Sequence, residues 1–128
     1  DLLVDKIREA RQEGTNWNIY DRKIHDILPD YWSVEEDILL IEGNYLLLKE
    51  AGWTNVRVLG DYSVFIDAEP ELLRERLISR KVAGGKSREE AKAFYNFSDS
   101  KNIERVLKNS ARADETWRLL PDGDFEKQ

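Results

Sequence analysis

The chain has 128 residues, of which 41% are hydrophobic and 36% charged, and its formal net charge is −6. This balance is typical of one globular domain and excludes a disordered chain. No apolar run approaches the roughly 20 residues of a membrane-spanning helix. Cysteine is absent, which excludes disulfides and thiolate metal sites. The acidic charge argues against a broad nucleic-acid surface, and the absence of cysteine fits a cytoplasmic protein. We therefore expect a cytoplasmic protein without membrane or nucleic-acid partners.

The amino-terminal segment predicts one helix followed by irregular chain. Apolar residues spaced by three or four predict a surface helix over residues 2–11, which the glycine of Glu13-Gly14-Thr15 would end. Residues 16–26 are expected to be irregular, and Pro29-Asp30 has the composition of a turn.

Two apolar runs, residues 37–43 and 62–68, predict strands buried on both faces, as in a parallel sheet. Each run reaches an acid near its end, Glu42 in the first and Asp67 in the second. Ligands of open α/β sheets bind beyond the carboxyl ends of the strands. This rule places both acids, with Asn44, near any site.

The second half of the chain predicts helices between strands. A charged helix is expected over residues 71–82, and residues 87–90 form a capping box for another helix. Ser98 or Asp99 would cap a third helix, and residues 116–120 suit a short last strand. Strands that alternate with helices indicate an open α/β sheet.

Glu42, at the end of an apolar run, allows two interpretations. Nucleotide kinases use a strand-end acid to hold Mg²⁺ beside nucleotide phosphates, and the following glycine lets the backbone approach closely. Alternatively, Glu42-Gly43 is only a turn, because acids at strand ends are common.

Three arginines on the predicted helix over residues 71–82 are also open to two interpretations. Arg76 and Arg80 are four residues apart and share one face, so their guanidinium groups could bind transferring phosphates. The alternative is a solvated helix face on which Arg74 and its neighbours pair with Glu71 and similar acids.

A polar segment offers candidates for binding a substrate. Asp21 could accept hydrogen bonds from a hydroxyl, and Arg22 could bind an anionic group. His25 is the single histidine, which excludes a bis-histidine metal site, and beside Asp26 it could equally be structural.

Four motifs, taken together and in this order, resemble one enzyme family: the uridine kinase, phosphoribulokinase and pantothenate kinase type of P-loop kinases. The motifs are Tyr-Asp-Arg-x-x-His-Asp (20–26), Glu-Gly-Asn-Tyr-Leu-Leu-Leu (42–48), Arg-Leu-Ile-Ser-Arg-Lys-x-x-Gly-Gly-Lys-Ser (76–87) and Ser-Asp-Ser-Lys-Asn-Ile-Glu-Arg-Val (98–106). The resemblance extends from about Asp1 to Asp114, and the second motif is its most specific part.

The resemblance implies an α/β fold, the three-layer α/β/α arrangement of P-loop NTPases with a parallel sheet, incomplete in this chain. Residues 1–128 would form a single carboxyl-terminal part of a kinase domain, with a lid at about residues 74–97 that has Gly84-Gly85 as a flexible point. The implied activity is transfer of the γ-phosphoryl group of ATP, with Mg²⁺, to a hydroxyl of a small metabolite such as a nucleoside, a sugar or a pantothenate-like compound.

The same resemblance implies roles for individual residues. Arg76 and Arg80 match the lid arginines that approach the ATP phosphates, and we expect them to be catalytic. Glu42 matches the acid of the Mg-ATP site, and Asp21 matches the acid that contacts the acceptor's hydroxyls. The remaining candidates are assigned to the acceptor (Arg22, His25, Asn44, Tyr45) and to ATP (Asn102).

One departure from the family is large, since no Gly-x-x-x-x-Gly-Lys-[Ser/Thr] loop occurs in the sequence. We therefore interpret the chain as part of a longer kinase that is inactive alone. One alternative is a non-catalytic binding or regulatory module that kept the fold, and another is a separate chain that supplies the P-loop half. A homodimer is also compatible with the resemblance.

Overall fold

The computed structural model describes residues 2–12 and 14–128. The helices and strands follow one another as α1 (Leu2–Gln12), β1 (Thr15–Asp21), β2 (Asp26–Val34), α2 (Trp53–Leu59), β3 (Val64–Ala68), α3 (Pro70–Ala83), α4 (Arg88–Phe94), a π-helix (Tyr95–Asp99), α5 (Ser100–Asn109), β4 (Glu115–Leu119) and β5 (Phe125–Lys127). The helix predicted over residues 2–11 is confirmed as α1. We expected the family resemblance to begin at about Asp1 and the helix to end in the segment that contains Glu13. Both of these residues lie outside the described residues.

The prediction of irregular chain over residues 16–26 is wrong, because β1 and β2 form an antiparallel hairpin there. Trp17 pairs with Trp32 and Ile19 with Leu28 across the two strands. Aromatic and β-branched residues suit such cross-strand positions. The hairpin turn therefore carries the polar motif between β1 and β2.

The turn predicted at Pro29-Asp30 is instead an irregularity inside β2. The register shifts between Trp17 and Ile19, and Asp30 has the left-handed φ of 49°. The backbone N–H of Asp30 donates to Asn18 Oδ1 at 2.9 Å, and Lys6 Nζ donates to Asp30 Oδ1 at 2.7 Å. These bonds fix α1 against the hairpin at its bulge.

The strand predicted over residues 37–43 is wrong for this structure, where the segment has no regular secondary structure. Ile38 is 87% exposed and Leu40 is 91% exposed, whereas Ile41 packs against the core. A strand exists only where its backbone N–H and C=O groups find a neighbouring strand. Among the described residues, the sheet that contains β3 offers this segment no such neighbour.

The strands predicted over residues 62–68 and 116–120 are confirmed as β3 and β4, which pair in parallel. The expectation that the first is buried on both faces is wrong, because Val64 and Ile66 are exposed. Asp67 lies opposite Arg118, and their side chains form an ion pair at 3.2 Å. A turn at residues 121–124 then returns the chain as β5, antiparallel to β4. The order β3-β4-β5 gives the α/β sheet of the described chain.

The helices after β3 begin close to their predicted starts, with one exception. Pro70 lies in the first turn of α3, and Ser87 and Glu90 make the expected capping box of α4. Asp99, however, does not cap α5: it has helical φ and ψ, and its side chain makes no capping bond. The chain instead continues from α4 through the π-helix into α5, so these three helices form one continuous segment.

The core of the described residues lies between α1 and α2, where Val4, Ile7 and Val56 are buried together. Arg11 supports this packing from outside, because its guanidinium bonds both carboxylate oxygens of Asp61 at 2.6 and 2.8 Å. No helix among residues 2–12 and 14–128 is long and apolar enough to cross a bilayer.

Candidate functional site

A cleft of about 380 Å³ lies beside the Glu-Gly-Asn-Tyr motif. Its wall is formed by residues of α1, β1, α2 and the loop before α2, and most of that wall is apolar. The lining residues are Leu3, Trp17, Ile41, Glu42, Gly43, Asn44, Tyr45, Leu46 and Trp53. Clefts of this kind, largely apolar with a few polar groups, are typical sites for small molecules. Three of the predicted site residues therefore share one cleft, namely Glu42, Asn44 and Tyr45.

The ring of Tyr45, in the wall of this cleft, contacts both an aromatic residue and a guanidinium group. Its ring meets Trp53 edge to face, with centroids 5.7 Å apart. The guanidinium of Arg105 lies 5.0 Å from the centre of the same ring. Arg105 also donates from Nε to Glu50 Oε1 at 2.9 Å and from a terminal nitrogen to Glu50 Oε2. Arg105 lowers the pKa of Glu50, and Glu50 in turn raises the pKa of Arg105.

The predicted acceptor residues of the hairpin lie at its turn. Asp21 ends β1 and accepts a hydrogen bond at Oδ1 from the backbone N–H of Lys23 at 2.7 Å, which shapes the turn. Arg22 and His25 are exposed, and His25 has a left-handed φ of 54°. The hairpin turn therefore presents Arg22 and His25 to solvent, while one oxygen of Asp21 has a structural role.

The arginines of α3 divide into two kinds. Arg74 Nη1 lies 2.9 Å from Glu71 Oε1 and 3.2 Å from Glu75 Oε1. These ion pairs agree with the interpretation of α3 as a solvated helix face. Arg76 and Arg80 are exposed, and neither makes an ion pair or side-chain hydrogen bond with any residue in the described ranges. Two guanidinium groups on one face of α3 are thus available for an anionic ligand.

Asn102 lies one turn into α5 and is half-buried. The π-helix just before it is a rare widening of the helix that is frequent at functional sites. Asp99, at the end of the π-helix, pairs with Lys81 of α3 at 3.4 Å. The Lys81–Asp99 pair therefore connects the π-helix, which leads into α5, with the helix that carries Arg76 and Arg80.

The predicted Mg²⁺ ligand, Glu42, fits that role in one respect. Its carboxylate is exposed and makes no side-chain bond within residues 2–12 and 14–128. No group of three or more acids or histidines that could hold a metal occurs in the same ranges. Mg²⁺ commonly takes one or two carboxylates and completes its shell with water and substrate phosphates, which a single free carboxylate can satisfy.

The predicted residues fall into three groups on separate elements: the hairpin turn, the cleft loop and helices α3 and α5. The cleft lining includes none of the residues at the hairpin turn or on α3. Arg105 and Lys81 lie within motifs that the sequence analysis recognised, but neither was assigned a role. The partner of Arg105 lies 55 residues away in sequence, so local patterns carry no signal for that pair.

Known proteins similar to this chain include several with kinase names. The uncharacterized protein YggC of Escherichia coli is 40% identical over 96% of this chain and 52% of its own length. The ATP-dependent kinase-like protein notR' of Aspergillus versicolor is 29% identical over 92% of this chain and 75% of its own length. A candidate uridine kinase of Schizosaccharomyces pombe is 32% identical over 74% of this chain and 42% of its own length.

Pantothenate kinases match over shorter stretches. That of Latilactobacillus sakei is 36% identical over 48% of this chain and 21% of its own length. No protein-family model matches the chain. The chain spans about half the length of YggC and less than half of the two named metabolite kinases.

Two solved structures share the fold. A candidate fructose transport system kinase of Silicibacter sp. TM1040 superposes with a TM-score of 0.79 at 26% identity, over 87% of this chain and 55% of that one. YFH7 of Saccharomyces cerevisiae, described as a candidate P-loop kinase with a circular permutation, superposes with a TM-score of 0.59 at 21% identity. The match covers 80% of this chain and 34% of that one. The second likeness concerns the fold alone. The chain therefore resembles proteins with kinase names, and it has the α/β fold of P-loop kinases, incomplete here.

Proposed function

We propose that this chain is the carboxyl-terminal part of a P-loop kinase that transfers the γ-phosphoryl group of ATP to a hydroxyl of a small metabolite. The relatives named as uridine and pantothenate kinases support the reaction class, and their greater length supports a missing part that would hold the P-loop. The exposed apolar residues Ile38 and Leu40 also support it, because a longer protein would bury them in a more complete sheet.

One observation carries the proposal furthest: Arg76 and Arg80 lack carboxylate partners among the described residues. The chain has 26 acids and 20 lysines and arginines, so unpaired arginines are not forced by a shortage of acids. Arg74 and Arg88, in the same predicted lid, are both paired with Glu75. Guanidinium groups without partners can donate to the phosphoryl oxygens on which charge develops in the transition state.

Each of the other residues has a proposed task. Glu42 would be a ligand of Mg²⁺, which when bound neutralises the charge of the phosphates. Asn102 would contact ATP from α5. On the acceptor side, Asp21 would bind a hydroxyl through the oxygen that the turn leaves free, and Tyr45 would form part of the wall of the acceptor pocket. Arg22, His25 and Asn44 would complete the polar contacts of the acceptor.

The arrangement would catalyse mainly by positioning and electrostatics. An acceptor held in the cleft brings its hydroxyl towards the phosphates, and the α3 arginines stabilise the oxygens of the transferred group. We also propose a cytoplasmic location, because ATP and the metabolite acceptors of the proposed reaction are found there.

The proposal is tested with the full-length kinase and γ-labelled ATP. We expect transfer of label to at least one nucleoside, sugar or pantothenate-like acceptor, and a large loss of transfer in Glu42→Gln. Glu36→Gln, an exposed acid six residues earlier in the same segment, is the matched control and should behave as the wild type.

The 128-residue chain alone should transfer no label. If the full-length protein binds ATP but labels no hydroxylated metabolite, the non-catalytic module becomes the better account. A preliminary thermal-shift screen with an ATP analogue would choose the acceptors, since a ligand that binds the native state raises its apparent stability.

A further inference from the structure

Arg105 of α5 makes two contacts with the segment that follows Glu42. Its guanidinium donates two hydrogen bonds to the carboxylate of Glu50 and lies against the ring of Tyr45 at 5.0 Å. A bidentate carboxylate pair combined with a cation–π contact holds a guanidinium in one orientation. Arg105 is thus fixed by one residue of the segment and contacts the other.

Tyr45 is held from a second direction. The ring of Trp53, on α2, lies 5.7 Å away at an interplanar angle of 60°. Tyr45 is therefore confined between α5 and α2, and it lines the cleft together with Glu42 and Asn44. Fixing the ring therefore fixes the part of the cleft wall that Tyr45 forms.

Backbone hydrogen bonds attach the same segment to the end of α5. The N–H of Lys49 donates to the carbonyl of Asn109 at 2.8 Å, and the N–H of Ala111 donates to the carbonyl of Leu47 at 2.7 Å. At its other end α5 continues directly from the π-helix and α4. One continuous helical segment therefore connects the predicted lid with the loop of Glu42 and Tyr45.

We propose that Arg105 is a positioning residue for the phosphotransfer reaction, which acts through Tyr45 on the acceptor side of the site. The inference rests on the proposed function. Arg105 would not touch the reacting atoms; it would set the wall of the acceptor pocket. Its loss should therefore weaken acceptor binding while leaving ATP binding and the chemical step close to normal.

The test uses the full-length kinase and the variants Arg105→Ala, Arg105→Lys and Glu50→Gln. We expect the acceptor KM to rise roughly tenfold in Arg105→Ala, because the Tyr45 ring would no longer be held in the pocket wall, with kcat and the KM for ATP changed less than about twofold. Arg105→Lys keeps the charge but loses the planar fork, so it should rescue only partly. Lys108→Ala is the control, because it removes an exposed ion pair with Glu104 from the same helix.

A double variant tests whether Arg105 acts through Tyr45. If it does, Tyr45→Leu combined with Arg105→Ala should have the same acceptor KM as Tyr45→Leu alone. The inference would be overturned if the two substitutions raised the acceptor KM by independent factors that multiply in the double variant. It would also be overturned if the acceptor KM were unchanged in Arg105→Ala, or if the KM for ATP rose equally.

Near-ultraviolet circular dichroism of the 128-residue chain separates this inference from the proposed reaction. Arg105→Ala should weaken the tyrosine part of the aromatic signal that Tyr45→Leu removes, and Lys108→Ala should leave it unchanged. A wild-type protein without phosphotransfer would overturn the reaction, and with it the catalytic part of the inference. The dichroism would still decide whether Arg105 holds Tyr45, and an unaltered signal in Arg105→Ala would refute that.

Discussion

Lys81 of α3 and Asp99 of the π-helix form an ion pair at 3.4 Å in which the two side chains are only 18% and 16% exposed. Asp99 Oδ2 is buried and accepts no hydrogen bond from the described residues. The ammonium of Lys81 also lies 3.9 Å from the centre of the Phe94 ring. Lys81 therefore neutralises Asp99 as a nearby charge rather than as a well-directed donor, and the pair joins α3 to the helical segment that ends in α5.

Removing the positive charge of this pair should destabilise the chain. Lys81→Met leaves a largely buried carboxylate unpaired, and we expect the free energy of unfolding to fall by about 1–3 kcal/mol. Asp99→Asn added to Lys81→Met should restore part of this loss. Urea denaturation of the four members of the cycle measures both effects. Lys92→Met, at an exposed lysine of α4, is the control, and a loss no larger than in that variant would show that the pair contributes nothing.

Leu40 tests whether the apolar run before Glu42 becomes a buried strand in a longer kinase. Leu40 is 91% exposed here, so Leu40→Ala should change the unfolding free energy of the 128-residue chain by at most about 0.5 kcal/mol. In the full-length protein, burial of the same residue would raise the cost to about 2–5 kcal/mol.

Leu48→Ala provides the comparison for that experiment. Leu48 is fully buried already, so its truncation should be costly in both proteins. If Leu40→Ala is as mild in the full-length protein as in the short chain, the segment does not join a buried sheet.

Glu115 on β4 should contribute stability that depends on pH. Its carboxylate accepts hydrogen bonds from Lys127 of β5, from Tyr62 and from Trp117, and these bonds lower the pKa of Glu115 from 4.5 to about 2. The same contact with Glu115 raises the pKa of Tyr62 to about 12. A carboxyl whose pKa is depressed by folding stabilises the native state above its unfolded pKa and loses that effect as the pH falls through its folded pKa.

Comparison with Glu115→Gln isolates this contribution. The wild type should be more stable than the variant at pH 7, and the difference should shrink as the pH falls from about 4.5 towards about 2. Unfolding by urea at pH 7, 4.5 and 3 measures it. A difference that stays constant over this range would mean that the stability does not come from the charged form of Glu115.

Local sequence chemistry was sufficient to predict β3, β4 and the helices α3, α4 and α5, but not the π-helix or β5. Pro70 and the Ser87–Glu90 capping box specify α3 and α4 through contacts within a few residues, and the composition of residues 62–68 and 116–120 was sufficient to predict β3 and β4. The helix cap assigned to Asp99 failed because a cap requires the chain to enter from a non-helical conformation, and here it arrives already helical.

Elements that depend on distant partners could not be predicted in the same way. The hairpin was overlooked because its strands carry apolar residues on both faces, and Tyr20 and Trp32 are exposed. The sequence therefore lacks the alternation of apolar and polar residues that is expected of a half-buried strand. The run before Glu42 was predicted as a strand from composition, yet a strand needs a neighbour that the described sheet does not give it. For the site, sequence motifs predicted roles for Glu42 and Tyr45, which remain predictions, whereas the pairing of Arg105 with Glu50 required the folded structure.

The central claim, that Arg76 and Arg80 stabilise a transferring phosphoryl group, is tested most directly by steady-state kinetics of the full-length kinase. Arg76→Ala and Arg80→Ala are compared with Arg74→Ala, which removes an arginine of the same helix that is already paired with Glu71 and Glu75. We expect kcat to fall about 10²-fold or more in each of the first two variants, as for the loss of one transition-state donor, and less than about threefold in the third. Equal, small effects in all three would contradict the account.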